Sequence, residues 1–134
     1  MSDWNTAIIE EFRANGGKVG GRFAGGDLLL LTTRGARTGK QHTTPLAYIE
    51  DGDRMVVTAS AAGAPRNPAW FHNARTNPTV TVEVGTDVVE AVASVPGDAE
   101  RDALWAKVVA AMPGFADYQT QTERVIPVVV LTRA

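Results

Sequence analysis

An antiparallel sheet or small barrel with helices packed outside it, an α+β fold, is what this 134-residue sequence predicts. Three observations lead there. The apparent order is helix, three strands, short helix, two strands, helix, strand. Most of the strands are joined by tight turns, Asp51-Gly52 and Gly85-Thr86 among them, rather than by helical crossovers. Val80, Val82 and Val84 alternate with Thr81 and Glu83, the period of two expected of a half-buried strand. A doubly wound parallel sheet is disfavoured, because it places a crossover after nearly every strand.

Taken in order, Asp3 is a plausible N-cap for a first helix that carries Trp4, Ala7, Ile8 and Phe12 at helical spacing and stops at Gly16-Gly17. Gly20-Gly21 and Gly25-Gly26 mark a flexible link. Residues 28–33 and 43–50 read as strands, and Asp51-Gly52 turns the second into a third at 54–60. A loop over 61–68 leads to a short helix around 69–75, closed by Asn77-Pro78. Strands follow at 80–84 and 88–95. Pro96-Gly97-Asp98 opens a helix whose Leu104, Val108 and Met112 form one apolar stripe, with Trp105 and Val109 beside it. After Pro113-Gly114 comes a polar, helix-compatible stretch ending near Arg124, and 126–131 supplies a last apolar strand.

The length suits one domain, 1–134, of which 1–26 would be the first helix and the glycine-rich link. Hydrophobic residues at 44% and charged residues at 21% are ordinary for a globular protein, and a net charge of −2 argues against non-specific nucleic-acid binding. The chain has no cysteine, which removes disulfides, thiolate metal sites and cysteine nucleophiles together. No signal peptide or apolar span is evident, so the expected location is cytoplasmic.

Charge is unevenly distributed. Between Phe12 and Ile49 the cations are Arg13, Lys18, Arg22, Arg34, Arg37 and Lys40, and the only carboxylate is Asp27. The run Thr-Thr-Arg-Gly-Ala-Arg-Thr-Gly-Lys-Gln-His-Thr-Thr-Pro-Leu over 32–46 concentrates this pattern between two strands. Glycines, hydroxyls and cations without a carboxylate suit an oxyanion such as phosphate.

Other constellations fail on spacing. A triphosphate-binding loop needs a glycine where Arg34 stands and a hydroxyl where Gln41 follows Lys40. The glycine pairs before Leu28 precede a strand and never give the dinucleotide fingerprint. His42 and His72 have no carboxylate at ligand spacing, so no metal is expected. Ser60 lacks the flanking glycines of a nucleophile elbow. With so little acid–base machinery, catalysis here would require a cofactor that carries the chemistry.

Three blocks of residues identify such a cofactor by resemblance. The first is Gly35-Ala36-Arg37-Thr38-Gly39, then His42 and Thr44-Pro45-Leu46. The second is Ala59-Ser60-Ala61-Ala62-Gly63, then Asn67-Pro68-Ala69-Trp70-Phe71-His72-Asn73 and Asn77-Pro78. The third is Pro113-Gly114-Phe115-Ala116-Asp117-Tyr118, then Arg124 and Ile126-Pro127-Val128-Val129. In order and spacing they resemble the deazaflavin-dependent nitroreductases, split β-barrel proteins that bind the coenzyme F420. The resemblance covers nearly everything from Gly20 onward.

It implies a mostly antiparallel split β-barrel of about six strands, and it implies a site. Arg37 and Thr38 would hold the coenzyme phosphate with His42 close by, and Lys40 would add charge for the acidic tail. The backbone of Thr43, Thr44, Pro45, Leu46 and Ala47 would lie against the deazaflavin. Thr58, Ala59, Ser60 and Ala61 would edge the ring, with Ala69, Trp70, Phe71, His72 and Asn73 beneath it. Tyr118 resembles a tyrosine beside the reacting face. Ala36 and His42 stand where cations are usual and Ala62 where glycine is. Two lost charge-assisted bonds would weaken phosphate binding by about 1–3 kcal/mol.

The implied activity is hydride transfer to a small electron-poor acceptor, a quinone, enone or nitroaromatic. An FMN- or haem-binding split barrel and a non-catalytic deazaflavin carrier are the alternatives. Plainer roles exist for single residues: a solvated hairpin tip for Arg37 and Lys40, core packing for Trp70, hydrogen-bonded structure for His72, and a helix anchor for Tyr118. Oligomeric state is open at this level, as is weak membrane-surface contact by the Trp4, Ile8 and Phe12 face.

Overall fold

The computed structural model describes residues 3–17, 28–60 and 66–134, without the side chains of residues 3–5. The expected glycine-rich link, the Asp3 cap, Trp4, Ala61 and Ala62 therefore lie outside what is described. Helix α1 (Asp3–Ala14) is followed by strands β1 (Leu28–Arg34), β2 (Gln41–Ala47), β3 (Ile49–Asp51) and β4 (Arg54–Thr58). Helix α2 (Ala69–Thr76), strands β5 (Thr79–Val84) and β6 (Asp87–Ser94), helices α3 (Asp98–Ala111) and α4 (Phe115–Thr120), and strand β7 (Val128–Arg133) complete the chain. The strands form one curled sheet in the order β2-β1-β5-β6-β7-β4-β3, with antiparallel neighbours throughout. This is the α+β half-barrel the sequence predicts, with seven strands rather than about six.

The seventh strand comes from a division. The run expected as one strand over 43–50 breaks at Tyr48, and its two parts lie at opposite ends of the sheet order. Tyr48 is buried at the break and belongs to the main core, so the chain crosses the barrel with an aromatic side chain turned inward. Leu46-Ala47-Tyr48-Ile49 is a continuous apolar run with no glycine at the corner, which is why the sequence alone reads it as one element.

Two faces of the sheet are covered, and this explains the unbroken apolar runs. In β1, Leu29 and Leu31 join the inner core with Val57, Val82, Val129 and Leu131, while Leu28 and Leu30 pack under Ile8, Ile9 and Phe12 of α1. In β7, Val129 and Leu131 face inward, and Val128 and Val130 lie with Leu104 and Val108 of α3. A strand buried on both sides has no polar alternation to show. The second helix, α2, contributes Trp70, Phe71 and Ala74 to the inner core.

Local contacts lock the helices in place. Arg13 donates to both carboxylate oxygens of Glu83 at 3.0 and 2.8 Å, tying α1 to β5. The helix ends on Gly16 and Gly17, both at positive φ, where the Gly17 N–H donates to the Phe12 carbonyl at 2.8 Å. A Cβ at Gly17 would meet the Gly85 Cα at 2.7 Å, so this corner docks on the β5–β6 turn backbone to backbone. On the far side, Asp51 accepts from Arg54 and from Lys107 of α3, the latter at 2.7 Å. The hydrogen bonds from Lys107 and Arg54 hold the Asp51 carboxyl below the ordinary aspartate range.

Gly17→Ala tests that docking. It combines a positive φ with a steric clash and is expected to cost about 1–3 kcal/mol in urea unfolding. Gly39→Ala, also at positive φ but with open space around it, should cost only the conformational share, about 1 kcal/mol.

Candidate active site

The cationic loop sits between β1 and β2 as a tight, self-bonded turn. The Gly35 N–H donates to the Lys40 carbonyl at 2.7 Å, and the Gly39 N–H to the Gly35 carbonyl at 3.0 Å. The Lys40 N–H donates to Thr38 Oγ1 at 3.3 Å. Gly35 is buried at the base of the turn, where an added Cβ would meet Thr38 Oγ1 at 2.9 Å and His42 Nε2 at 3.4 Å. Only glycine lets Thr38 and His42 close over that point. Arg34, Arg37 and Lys40 are exposed, and none of them enters an ion pair among the described residues. Their charge is therefore available to an anion.

Asn73 of α2 holds this loop. The Ala36 N–H donates to Asn73 Oδ1 at 3.0 Å, and Asn73 Nδ2 donates to Thr33 Oγ1 at 3.4 Å. Asn73 and Thr33 are both buried. One turn further on, Asn77 Nδ2 donates to the Arg34 carbonyl at 3.3 Å. The helix thus fixes both the entry and the crown of the turn. His42 and His72 are exposed, and the His72 ring meets Phe71 edge-on at 5.6 Å.

The β2 residues Thr43, Thr44, Pro45, Leu46 and Ala47 form one end of the sheet, half-buried. Thr43 Oγ1 is bonded across the ladder to Thr32 Oγ1 at 2.8 Å. Pro45 lacks an N–H and is suited to such an edge. Ala69 is exposed at the start of α2, whereas Trp70 and Phe71 are buried in the inner core. Trp70 packs as a core residue, and Phe71 touches it edge-on at 6.4 Å.

A second group gathers where β4 ends. Thr58, Ala59 and Ser60 are buried, and Thr58 Oγ1 has no hydrogen-bond partner among the described residues. A buried, unpaired hydroxyl is costly and invites a polar group of a ligand. Arg124 closes this stretch: Nη1 donates to the Ala59 carbonyl at 3.0 Å and to Asn67 Oδ1 at 2.7 Å, and Nη2 to the Ser60 carbonyl at 2.9 Å. Burial lowers the Arg124 pKa from its ordinary value. Tyr118 on α4 is half-buried against Phe115, ring centres 5.2 Å apart, and its hydroxyl makes no hydrogen bond among the described residues. Arg124 and Gln119 are functional candidates that sequence reasoning left without a role. The available signal was Pro127 at a strand entrance, which leaves a facing carbonyl in need of another donor.

Among the described residues no group of His, Asp or Glu could hold a metal ion. The site does fit a phosphate-tailed ring coenzyme, given a glycine-based turn with exposed cations on one side of α2 and an orphaned hydroxyl near the other.

Comparison with known proteins places the chain in a family. A protein-family model described as F420H(2)-dependent quinone reductase matches residues 4–133. The F420H(2)-dependent quinone reductase Rv1261c of Mycobacterium tuberculosis is 41% identical over 126 residues, covering 91% of this chain and 85% of that protein. Among solved structures, an F420-H2 dependent reductase, FDR-A, is 38% identical with a TM-score of 0.72, over 78% of this chain and 93% of that one. A structure described as a domain-swapped dimer is 36% identical with a TM-score of 0.74, over 96% and 97%. The chain is an oxidoreductase of the deazaflavin-dependent, split-barrel class. It belongs to the F420H(2)-dependent quinone reductase family.

Asn73→Ala would leave the Ala36 N–H without its acceptor and free the cationic turn. Thermal denaturation is expected to report a loss of about 1–3 kcal/mol, and fluorescence titration a weaker affinity for F420.

Proposed function

We propose that this chain transfers two electrons, as a hydride, from reduced F420 to a small planar acceptor of the quinone, enone or nitroaromatic class. The observation that carries the reading is the turn at 35–40: exposed cations without ion pairs among the described residues, braced by buried Asn73. When bound, the coenzyme supplies a ring carbon in place of the flavin N5, which favours hydride transfer over radical chemistry.

The protein contributes placement and dryness. Arg37 and Thr38, with His42 beside them, would hold the phosphate, and Lys40 would draw in the acidic tail. Thr43, Thr44, Pro45, Leu46 and Ala47 would border the ring on one side and Thr58, Ala59 and Ser60 on another, the Thr58 hydroxyl giving its unused bond to a ring heteroatom. From α2, Asn73 would serve through the loop it braces, with Ala69 and His72 on the exposed side and Trp70 and Phe71 as the packed floor. Holding donor and acceptor about 3–3.5 Å apart is the main catalytic task. The Tyr118 hydroxyl would donate a hydrogen bond, or a proton, to charge developing on the acceptor.

We place this activity in the cytoplasm, on a diffusing acceptor and without nucleic acid. Among the described residues no helix is long and apolar enough to cross a membrane. Any weak membrane-surface contact would have to avoid Ile8, Ile9 and Phe12, which are buried against β1. A swapped dimer is the assembly to test, by sedimentation, since one similar structure is described in those words.

Fluorescence titration with F420, followed by coenzyme oxidation against a panel of quinones and nitro compounds, tests the reading and separates an enzyme from a carrier. Arg37→Ala is expected to weaken coenzyme binding about tenfold and to flatten its salt dependence. Unchanged affinity would move the phosphate elsewhere. Tyr118→Phe should lower turnover more than affinity, and equal rates in mutant and parent would assign the tyrosine to packing on Phe115.

A further inference from the structure

We infer that Arg124 is a positioning residue: it sets the stretch Thr58–Ala59–Ser60 against the coenzyme ring, and Gln119 links that setting to the helix bearing Tyr118. The inference rests on the deazaflavin reading above.

The register of the sheet shows why an arginine is needed. Thr58 pairs with Val128, so the next pair is Ala59 with Pro127. The Ala59 N–H donates to the Pro127 carbonyl at 2.9 Å. The return bond cannot form, because proline has no N–H. The Ala59 carbonyl, buried at the end of β4, is served instead by Arg124 Nη1. One step on, pairing has ended: the Ile126 N–H donates to Gln119 Oε1 at 3.0 Å, and the Ile126 carbonyl accepts from Arg101. The Ser60 carbonyl turns to Arg124 Nη2. The same guanidinium reaches Asn67 Oδ1, the residue before Pro68 and the start of α2. Three acceptors on one rigid guanidinium fork fix where β4 stops and where the chain re-enters the fold.

Arg124 is itself held. Gln119 Nε2 donates to the Arg124 carbonyl at 2.7 Å, and the Arg124 N–H lies 3.4 Å from Thr122 Oγ1. Gln119 is the next residue after Tyr118 on α4. The tyrosine and the Ser60 stretch, far apart in sequence, are thus joined through two side chains, those of Gln119 and Arg124. Lysine keeps the charge at position 124 but has no planar fork to serve two successive carbonyls and an amide together.

The test uses Arg124→Lys, Arg124→Ala and Asn67→Ala beside the parent. Coenzyme affinity is read by F420 fluorescence, turnover at saturating reduced F420 with menadione, folding by thermal melting, and local order by amide hydrogen exchange without coenzyme. For Arg124→Lys, turnover should fall about tenfold or more while affinity, set by the phosphate tail, changes by less than about threefold. Asn67→Ala should lose turnover in the same direction to a smaller extent, and the Ala59 amide of Arg124→Lys, bonded to the Pro127 carbonyl in the parent, should exchange faster. Parent-like turnover in Arg124→Lys would overturn the inference, as would turnover and affinity falling together in step with the melting temperature. If the Arg124 variants do not fold, parent-like turnover in Asn67→Ala overturns it and reduced turnover supports it. Should the parent ignore F420, the deazaflavin reading falls, and the exchange rate of the Ala59 amide still decides whether Arg124 fixes this stretch.

Discussion

A helix laid on the inner face of a curled sheet must bury one side and find polar partners at its ends, and α2 meets both demands within eight residues. Trp70, Phe71 and Ala74 sink into the core with Leu29, Leu31 and Val129, which fixes the helix to the barrel wall. Its polar residues are then no longer free to wander. Asn73 and Asn77 face the β1–β2 turn, and Asn67 just ahead of the helix faces Arg124. Both halves of the candidate site are hung from this one packed element. Burial of three apolar side chains, each contributing on the order of 1–3 kcal/mol, supports the much weaker polar contacts that set the geometry.

The division of labour follows from how differently the two halves are held. The cationic turn is exposed, curled around a buried glycine and braced by α2 at the Ala36 N–H and the Arg34 carbonyl. Such a turn can strip water from a phosphate without reorganising first. The Thr58–Ser60 stretch is buried and clamped by a half-buried guanidinium. A flat ring needs that firmness more than a flexible tail does, because transfer rates fall steeply with small errors of alignment. Gln119, next to Tyr118, shares the clamp, so α4 and the Thr58–Ser60 stretch answer to one set of bonds.

Much of this was legible in the residues. The hairpin turns, the Leu104–Val108 stripe and the glycine stop after α1 all follow local rules, and the structure keeps them. The cluster of cations over 34–40 stood out because composition alone shows it. Three things were not legible. The break at Tyr48 falls inside an apolar run that has no glycine, so nothing local marks it. The role of Asn73 depends on a contact across 37 residues. The clamp by Arg124 depends on which strand faces Pro127, which is a matter of register rather than of pattern. Trp70 could be read as core or as platform, and its burial in the inner cluster shows the core packing.

The two ends of the sheet bear on how this protein behaves when crowded. An open sheet with free borders can recruit further chains, and long flat borders do so most readily. Here one border is β3, three residues long, and the other is β2, interrupted by Pro45. Neither offers an unbroken row of donors to a stranger. The proline that keeps β2 from pairing outward would also discourage fibril-like stacking, so this border can stay open while resisting aggregation.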